Sequence, residues 1–200
     1  MKKLFLSLLV IFTVYSINMA AQDNDLSIIV KFGQSDFHNS GLSRDKDPNY
    51  WENGLQFSAG IEKHLSSSFS IQGLFSYSVQ SFNKSYIFYG RNLNDANNRV
   101  YDLLGNMKLN IGKFYLLGGI GVSYQKSDEV RYLDSGMGIV LDAASSTALF
   151  AAKEKFVFAG LLGAGLDMNI YKQINLITEA DINLRKYTGT SLLVGIKYSL

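Results

Sequence analysis

The fold is decided by residues 55–62, which read LQFSAGIE. Apolar side chains alternate there with polar or small ones, so Leu55, Phe57 and Ile61 share one face of an extended chain, and Glu62 falls on the opposite face. Successive side chains on a β-strand point to opposite faces, so this period of two is typical of a strand between two different environments. The stretch therefore predicts an amphipathic β-strand, with one apolar face and one face that tolerates charge.

The same alternation returns along the chain and predicts eight strands. The predicted strands are residues 25–34, 55–65, 69–83, 99–111, 114–126, 155–170, 174–186 and 190–200. The tight turns are 66–68, 112–113 and 171–173, the long links are 35–54, 84–98 and 127–154, and the last link, 187–189, is short. Tight turns that alternate with long links indicate a meander of hairpins, which must close or cover its edges. We predict an all-β fold, an eight-stranded antiparallel up-and-down β-barrel.

The apolar face of these strands is predicted to meet lipid, which makes the barrel a transmembrane one. A soluble barrel such as a lipocalin places its apolar side chains inside, whereas a membrane barrel places them outside. The apolar face carries almost no charge, with Lys63 as the clear exception, and it is rich in glycine and alanine, which fill a soluble core poorly. Aromatic residues form two groups near the strand ends, as interfacial girdles do. They are Phe69, Phe114 and Tyr198 toward the short turns, and Tyr77, Tyr101, Tyr124 and Phe156 toward the long links.

The polar face is then the barrel interior, and it collects charges of both signs. We predict that they form a polar network inside the barrel, made of Lys31, Glu62, His64, Asp102, Lys108, Asp167, Glu179, Asp181, Arg185 and Lys197. Charges surrounded by lipid must be paired or hydrated. Such a network either plugs the lumen or lines an ion-conducting path. We favour the plug, because the interior of an eight-stranded barrel is just filled by its own side chains.

Residues 1–21 are predicted to be a secretory signal peptide that is cleaved after Ala21. Two lysines open the chain, an apolar run follows over residues 4–14, and small residues precede the cleavage site. The run is too short for a transmembrane helix, which needs about 20 residues. Residues 22–200 are predicted to be a single β-barrel domain.

Composition narrows the possible partners and chemistry. Without Lys2 and Lys3, the 19 basic residues become 17, which balance the 17 acidic ones, so no nucleic-acid partner is expected. The absence of cysteine excludes disulfides and thiol chemistry, and two histidines exclude a multi-histidine metal site. No cofactor or metal is expected. Residues 142–153 are predicted to form a short helix with Asp142 as its N-cap.

These features together resemble the small outer-membrane β-barrel proteins of the OmpA/OmpX type, and among them the porin-family proteins of Bacteroidota. The resemblance covers residues 22–200 and includes the closing segment 192–200, LLVGIKYSL. It departs from the family in one respect, since members usually end in an aromatic residue whereas this chain ends in Leu200, with Tyr198 two positions earlier. The resemblance implies a monomer in the outer membrane that contacts membrane lipid and lipopolysaccharide, and that the barrel-assembly machinery inserts.

Three classes of function are compatible with this fold. The first, which we predict, is a structural or interaction role with long extracellular loops and a plugged lumen, and no enzyme activity. The second is a porin for ions or small solutes. The third is a lipid-modifying enzyme, because some outer-membrane barrels use a His/Ser pair and this chain has His38 and Ser40. Those enzymes carry the pair on a late strand, so the analogy transfers poorly.

Overall fold

The computed structural model describes residues 26–36, 52–82, 95–131, 148–150, 152–185 and 188–200. The predicted signal peptide, His38 and Ser40 lie outside the described residues. Within the described part of the chain, no helix is long and apolar enough to cross a membrane.

The described residues form ten β-strands, and most of these strands show the alternation of apolar and polar side chains seen in the sequence. They are β1 (Leu26–Asp36), β2 (Gly54–His64), β3 (Phe69–Ser81), β4 (Asn97–Ile111), β5 (Phe114–Ser127), β6 (Val130–Arg131), β7 (Ala148–Phe150), β8 (Lys153–Tyr171), β9 (Ile174–Leu184) and β10 (Gly189–Ser199). Eight of them close into a barrel in the order β1-β10-β9-β8-β5-β4-β3-β2, while β6 and β7 form a separate two-stranded sheet. The predicted eight-stranded barrel is confirmed.

Each barrel strand pairs antiparallel with its neighbours, and β1 closes the barrel by pairing with both β2 and β10. Closure leaves no barrel strand with an unpaired edge, which a membrane requires because lipid cannot hydrogen-bond to the backbone. The inner end of the barrel is defined here by the tight turns 65–68, 112–113 and 172–173, and the outer end by the long links.

The predicted helix over residues 142–153 is wrong in its second half. Ala148–Phe150 is strand β7, and β8 begins at Lys153. Phe150 pairs with Val130 of β6, so the backbone groups of this segment bond across a small sheet instead of along a helix. Pairing between segments overrides the helix propensity of an alanine-rich stretch. Residues 142–147 lie outside the described residues.

The apolar set faces outward, as predicted for a membrane barrel. Ile120 is 65% exposed and Phe158 is 69% exposed, although both are large apolar side chains. Other exposed members come from every barrel strand, and they include Val30, Phe57, Ile71, Met107, Leu162, Ile182 and Val194. An apolar surface that surrounds the whole barrel requires an apolar solvent, so this band is the lipid-facing surface.

An aromatic row marks the outer limit of that band. Tyr77, Tyr101, Tyr124 and Phe156 occupy paired positions on β3, β4, β5 and β8. Their successive ring centroids lie 5.0, 5.9 and 4.8 Å apart. At the inner end, Phe69, Phe114 and Tyr198 are exposed. Aromatic rings at two levels are the girdles that anchor a barrel at the two membrane interfaces.

Candidate functional site in the barrel interior

The structure places all ten of the charged or histidine residues predicted to face inward on the lumen side. Seven of them are buried as whole residues, while Asp167, Arg185 and His64 are partly exposed when their backbone atoms are included. Ion pairs join most of them in three groups along the barrel: the inner cluster, the middle cluster and the outer pair. Each group joins residues that are distant in sequence, because the closed register of eight strands brings their inward faces together.

The inner cluster consists of Glu62, Lys108, Asp167 and Lys197, near the tight turns. The Nζ atom of Lys108 lies 3.1 Å from Oε2 of Glu62 and 3.0 Å from Oδ2 of Asp167. Lys197 bridges the same two acids, with its Nζ atom 3.4 Å from Oε1 of Glu62 and a hydrogen bond to Asp167. Two acids and two bases therefore alternate around one closed set of contacts, which leaves the cluster with no net charge.

Polar neighbours occupy the remaining hydrogen-bonding positions of the inner cluster. Gln72 donates to Oε2 of Glu62 at 2.6 Å, and Asn175 donates to Oδ1 of Asp167 at 2.6 Å. His64 Nε2 lies 3.3 Å from Oε1 of Glu62, so the histidine lies at the edge of this cluster. Buried charges are tolerated when their lone pairs and protons are satisfied in this way.

The middle cluster joins Lys31, Glu179 and Tyr115. Lys31 donates to Oε1 of Glu179, and both side chains are 1% exposed. The phenol of Tyr115 donates to Oε2 of the same carboxylate at 2.6 Å. The Nζ atom of Lys108 lies 4.2 Å from the centroid of the Tyr115 ring, so this tyrosine links the middle cluster to the inner one through a cation–π contact.

The outer pair is Asp102 with Arg185, toward the long links. Nε of Arg185 donates to Oδ1 of Asp102 at 3.1 Å, and Nη2 donates to Oδ2. This is the two-pronged geometry in which a guanidinium matches a carboxylate most closely. Arg185 is 5% exposed and Asp102 is 3% exposed at the side chain, so the pair is shielded from solvent.

Apolar side chains fill the space that the charges leave. The inward-facing leucines and isoleucines of the polar face are at most 3% exposed; these are Leu74, Leu104, Leu117, Leu161, Ile177 and Leu193. Five of them pack with Ile29, Ala159 and Tyr115 in a single cluster. Apolar side chains packed beside charges lower the local dielectric, which strengthens the adjacent ion pairs.

Three residues that the network depends on were not among the predicted ones: Tyr115, Gln72 and Asn175. All three lie on the polar face of the sequence alternation, so the pattern already indicated that their side chains point into the barrel. Tyr115 is the largest fully buried side chain among the described residues, and a tyrosine with a buried hydroxyl needs a partner such as the Glu179 carboxylate. Neutral polar residues on the inward face are therefore part of the network as much as the charged ones.

The absence of a side chain at Gly165 provides the space in which the Tyr115 ring packs. A Cβ atom on Gly165 would lie 2.6 Å from both Cζ and Oη of Tyr115, and it would also press on the carbonyl oxygen of Thr178. We expect Gly165→Val to displace the phenol from Glu179 and to destabilise the folded barrel by about 1–3 kcal/mol, the usual range for overpacking. Urea unfolding in detergent micelles measures the change. Gly105→Val is the matched control, because only one atom lies within 4 Å of its added Cβ, and an equal loss there would contradict the role of Gly165.

Comparison with known proteins supports the fold alone. No protein-family model matches the sequence, and no curated protein matches it by sequence. The crystal structure of Ail, the attachment invasion locus protein of Yersinia pestis, in complex with the heparin analogue sucrose octasulfate matches with a TM-score of 0.53 and 15% identity. That match covers 86% of this chain and 96% of Ail. A second crystal structure of Ail gives a TM-score of 0.51 at 12% identity over the same shares of the two chains.

The predicted resemblance to small outer-membrane β-barrels is therefore confirmed at the level of the fold. A closed eight-stranded barrel with a lipid-facing apolar band and two aromatic girdles is the architecture of outer-membrane proteins, in agreement with the predicted location. The narrower likeness to proteins of Bacteroidota stays a prediction.

Proposed function

We propose that this protein is a closed outer-membrane barrel with a structural or interaction role, and that its lumen does not conduct. The observation that carries the proposal is the filled interior, in which the ion pairs of the inner cluster, the middle cluster and the outer pair share the lumen with packed leucine and isoleucine side chains. An ion that crosses the barrel must break these contacts in turn. Each break leaves a buried charge without its partner, which is strongly unfavourable.

The direction of the barrel follows from its links. Tight turns close the inner end, whereas long links leave the outer end, as in outer-membrane barrels with short periplasmic turns and longer extracellular loops. An interaction role places the contacts with other molecules on those outer links. We propose further that residues 1–21 direct export, that the barrel-assembly machinery inserts residues 22–200 as a monomer, and that lipopolysaccharide and other membrane lipids surround the apolar band.

The absence of enzyme activity is also part of the proposal. Within the described residues, the charged side chains of the inner cluster and the outer pair are engaged with one another, and no group of three or more acidic or histidine residues is placed to hold a metal ion. These charged groups act as mutual partners, which supports a structural role for them.

Conductance in planar lipid bilayers tests the proposal. The folded protein, identified by its heat-modifiable migration in gels, is expected to give no discrete current steps under an applied voltage, because the lumen is closed by buried side chains. A large open porin, prepared in the same detergent, is the control that shows insertion and detection. Stable current steps from the folded protein would contradict the proposal and favour the porin alternative.

A further inference from the structure

Among the described residues, Asp181 is the one acid of the predicted network that accepts no hydrogen bond of normal geometry. It lies on β9, is 3% exposed, and neither of its carboxylate oxygens has a hydrogen-bond partner within the described residues. An ionised carboxylate that is buried without compensation is highly unfavourable, so Asp181 must be neutralised by a cation or by a proton.

The lysines and the arginine of the network do not supply a neutralising charge to Asp181. Lys31 is bound to Glu179, and Lys108 and Lys197 are bound to Glu62 and Asp167. Arg185 holds Asp102 with two hydrogen bonds. The Glu179 side chain faces the Asp181 carboxylate, and the charge of Lys31 is shared between these two acids. When both acids are ionised, the pair with one lysine therefore retains one excess negative charge.

The surroundings of Asp181 offer further oxygen atoms. Asp181 pairs with Gly163 on β8 and with Ser191 on β10, and Ser191 pairs in turn with Ser35 on β1. Because Gly163 has no side chain, one oxygen of Asp181 lies in the space that a Cβ atom there would occupy. Ser191 accepts a hydrogen bond from Asn183 at 3.1 Å and keeps a second lone pair, and the buried hydroxyl of Ser35 has no partner.

We propose that Asp181, with the hydroxyl of Ser191, binds one monovalent alkali cation inside the barrel. The donors are all oxygen atoms, the ligand type that hard cations prefer over the softer transition metals. A single positive charge neutralises the excess of the Asp181 and Glu179 pair, whereas a divalent ion would leave a net positive charge in a low-dielectric interior. This inference does not depend on whether the lumen conducts, so it can fail while the proposed function stands.

Sodium-dependent stability of the full-length mature protein in detergent micelles tests this site. Unfolding by urea is followed at increasing sodium chloride, with choline chloride added to keep the ionic strength constant. Binding to the folded state alone raises the folding equilibrium constant about tenfold when sodium is at ten times its dissociation constant. The response is expected to disappear in Asp181→Asn, which keeps the shape of the side chain and removes its charge, and to weaken in Ser191→Ala.

The matched control is Ser76→Ala, another buried serine, which hydrogen-bonds Ser58 at 2.9 Å on the opposite part of the barrel. It is expected to keep the full response to sodium. A sodium response that survives in Asp181→Asn would overturn the proposal, as would the absence of any sodium-specific response in the wild type. In the latter case, stability that rises on acidification in the wild type but not in Asp181→Asn would show that the site holds a proton beside Glu179, Lys31 and Tyr115.

Discussion

Replacing Glu62 by glutamine is expected to destabilise the folded barrel by about 3–5 kcal/mol, the range for breaking a buried ion pair by removing one partner. Glu62 is fully buried and lies against both lysines of the inner cluster. Glutamine has nearly the same shape but no charge, so Lys108 and Lys197 would be left with Asp167 as their shared acid. Urea unfolding of the refolded protein in detergent micelles, followed by gel migration, measures the loss.

Two variants make this expectation specific to the buried charge. Glu154→Gln is the same chemical change in a pair with Lys126, whose side chains are 52% and 39% exposed, and it is expected to alter stability little because exposed ion pairs contribute little. The double variant Glu62→Gln with Lys197→Gln removes one charge of each sign and is expected to recover part of the loss. A loss for Glu62→Gln no larger than that for Glu154→Gln would contradict the role of the inner cluster.

The sequence was sufficient to predict the barrel and the direction of its inward charged side chains. The strand period is a local property, so the alternation around Glu62 on β2 or Glu179 on β9 already assigns those side chains to one face. The polar side chains could then be assigned to the lumen because the opposite face lacks charge over most of its length. These inferences need no knowledge of which strand lies beside which.

Pairing within the lumen could not be predicted in the same way. Lys31 and Glu179 are 148 residues apart, and Lys197 and Glu62 are 135 residues apart. Which acid meets which base depends on the stagger of the closed sheet, which sets the height of each residue inside the barrel. For the same reason the sequence shows an excess acid among the inward charges but does not identify Asp181 as the carboxylate without a donor.

The β6–β7 sheet shows a second limit of sequence pattern. Residues 142–153 contain mostly alanine, serine and other small residues, which carry no strand alternation, and their local preference favours a helix. The strand state of Ala148–Phe150 arises from pairing with Val130–Arg131, a contact between segments that propensity does not contain.

The second large effect is expected on the outer surface, where Ile120→Arg should destabilise the barrel by about 2–4 kcal/mol in a bilayer, the range for arginine near the membrane midplane. Ile120 is 65% exposed and lies on β5 between Phe114 at the inner girdle and Tyr124 at the outer one. Its paired neighbours are Gly105 and Gly160, which provide no polar atom on a side chain. An arginine there has no partner within the apolar band. Its side chain must extend to the membrane interface, or water must penetrate the lipid around it.

Leu55→Arg is the matched control, because Leu55 has a similar exposure of 58% but lies two residues beyond Phe57 at the outer end of β2. Arginine near the interface costs about 0–1 kcal/mol, so the two variants differ only in depth. Stability is measured by urea unfolding from lipid vesicles. A water-filled surrounding would treat both exposed positions alike, since an exposed charge is favourable in water wherever it lies. A depth-dependent difference therefore distinguishes a lipid-facing surface from a solvent-facing one, and equal effects at Ile120 and Leu55 would reject the transmembrane assignment of the apolar band.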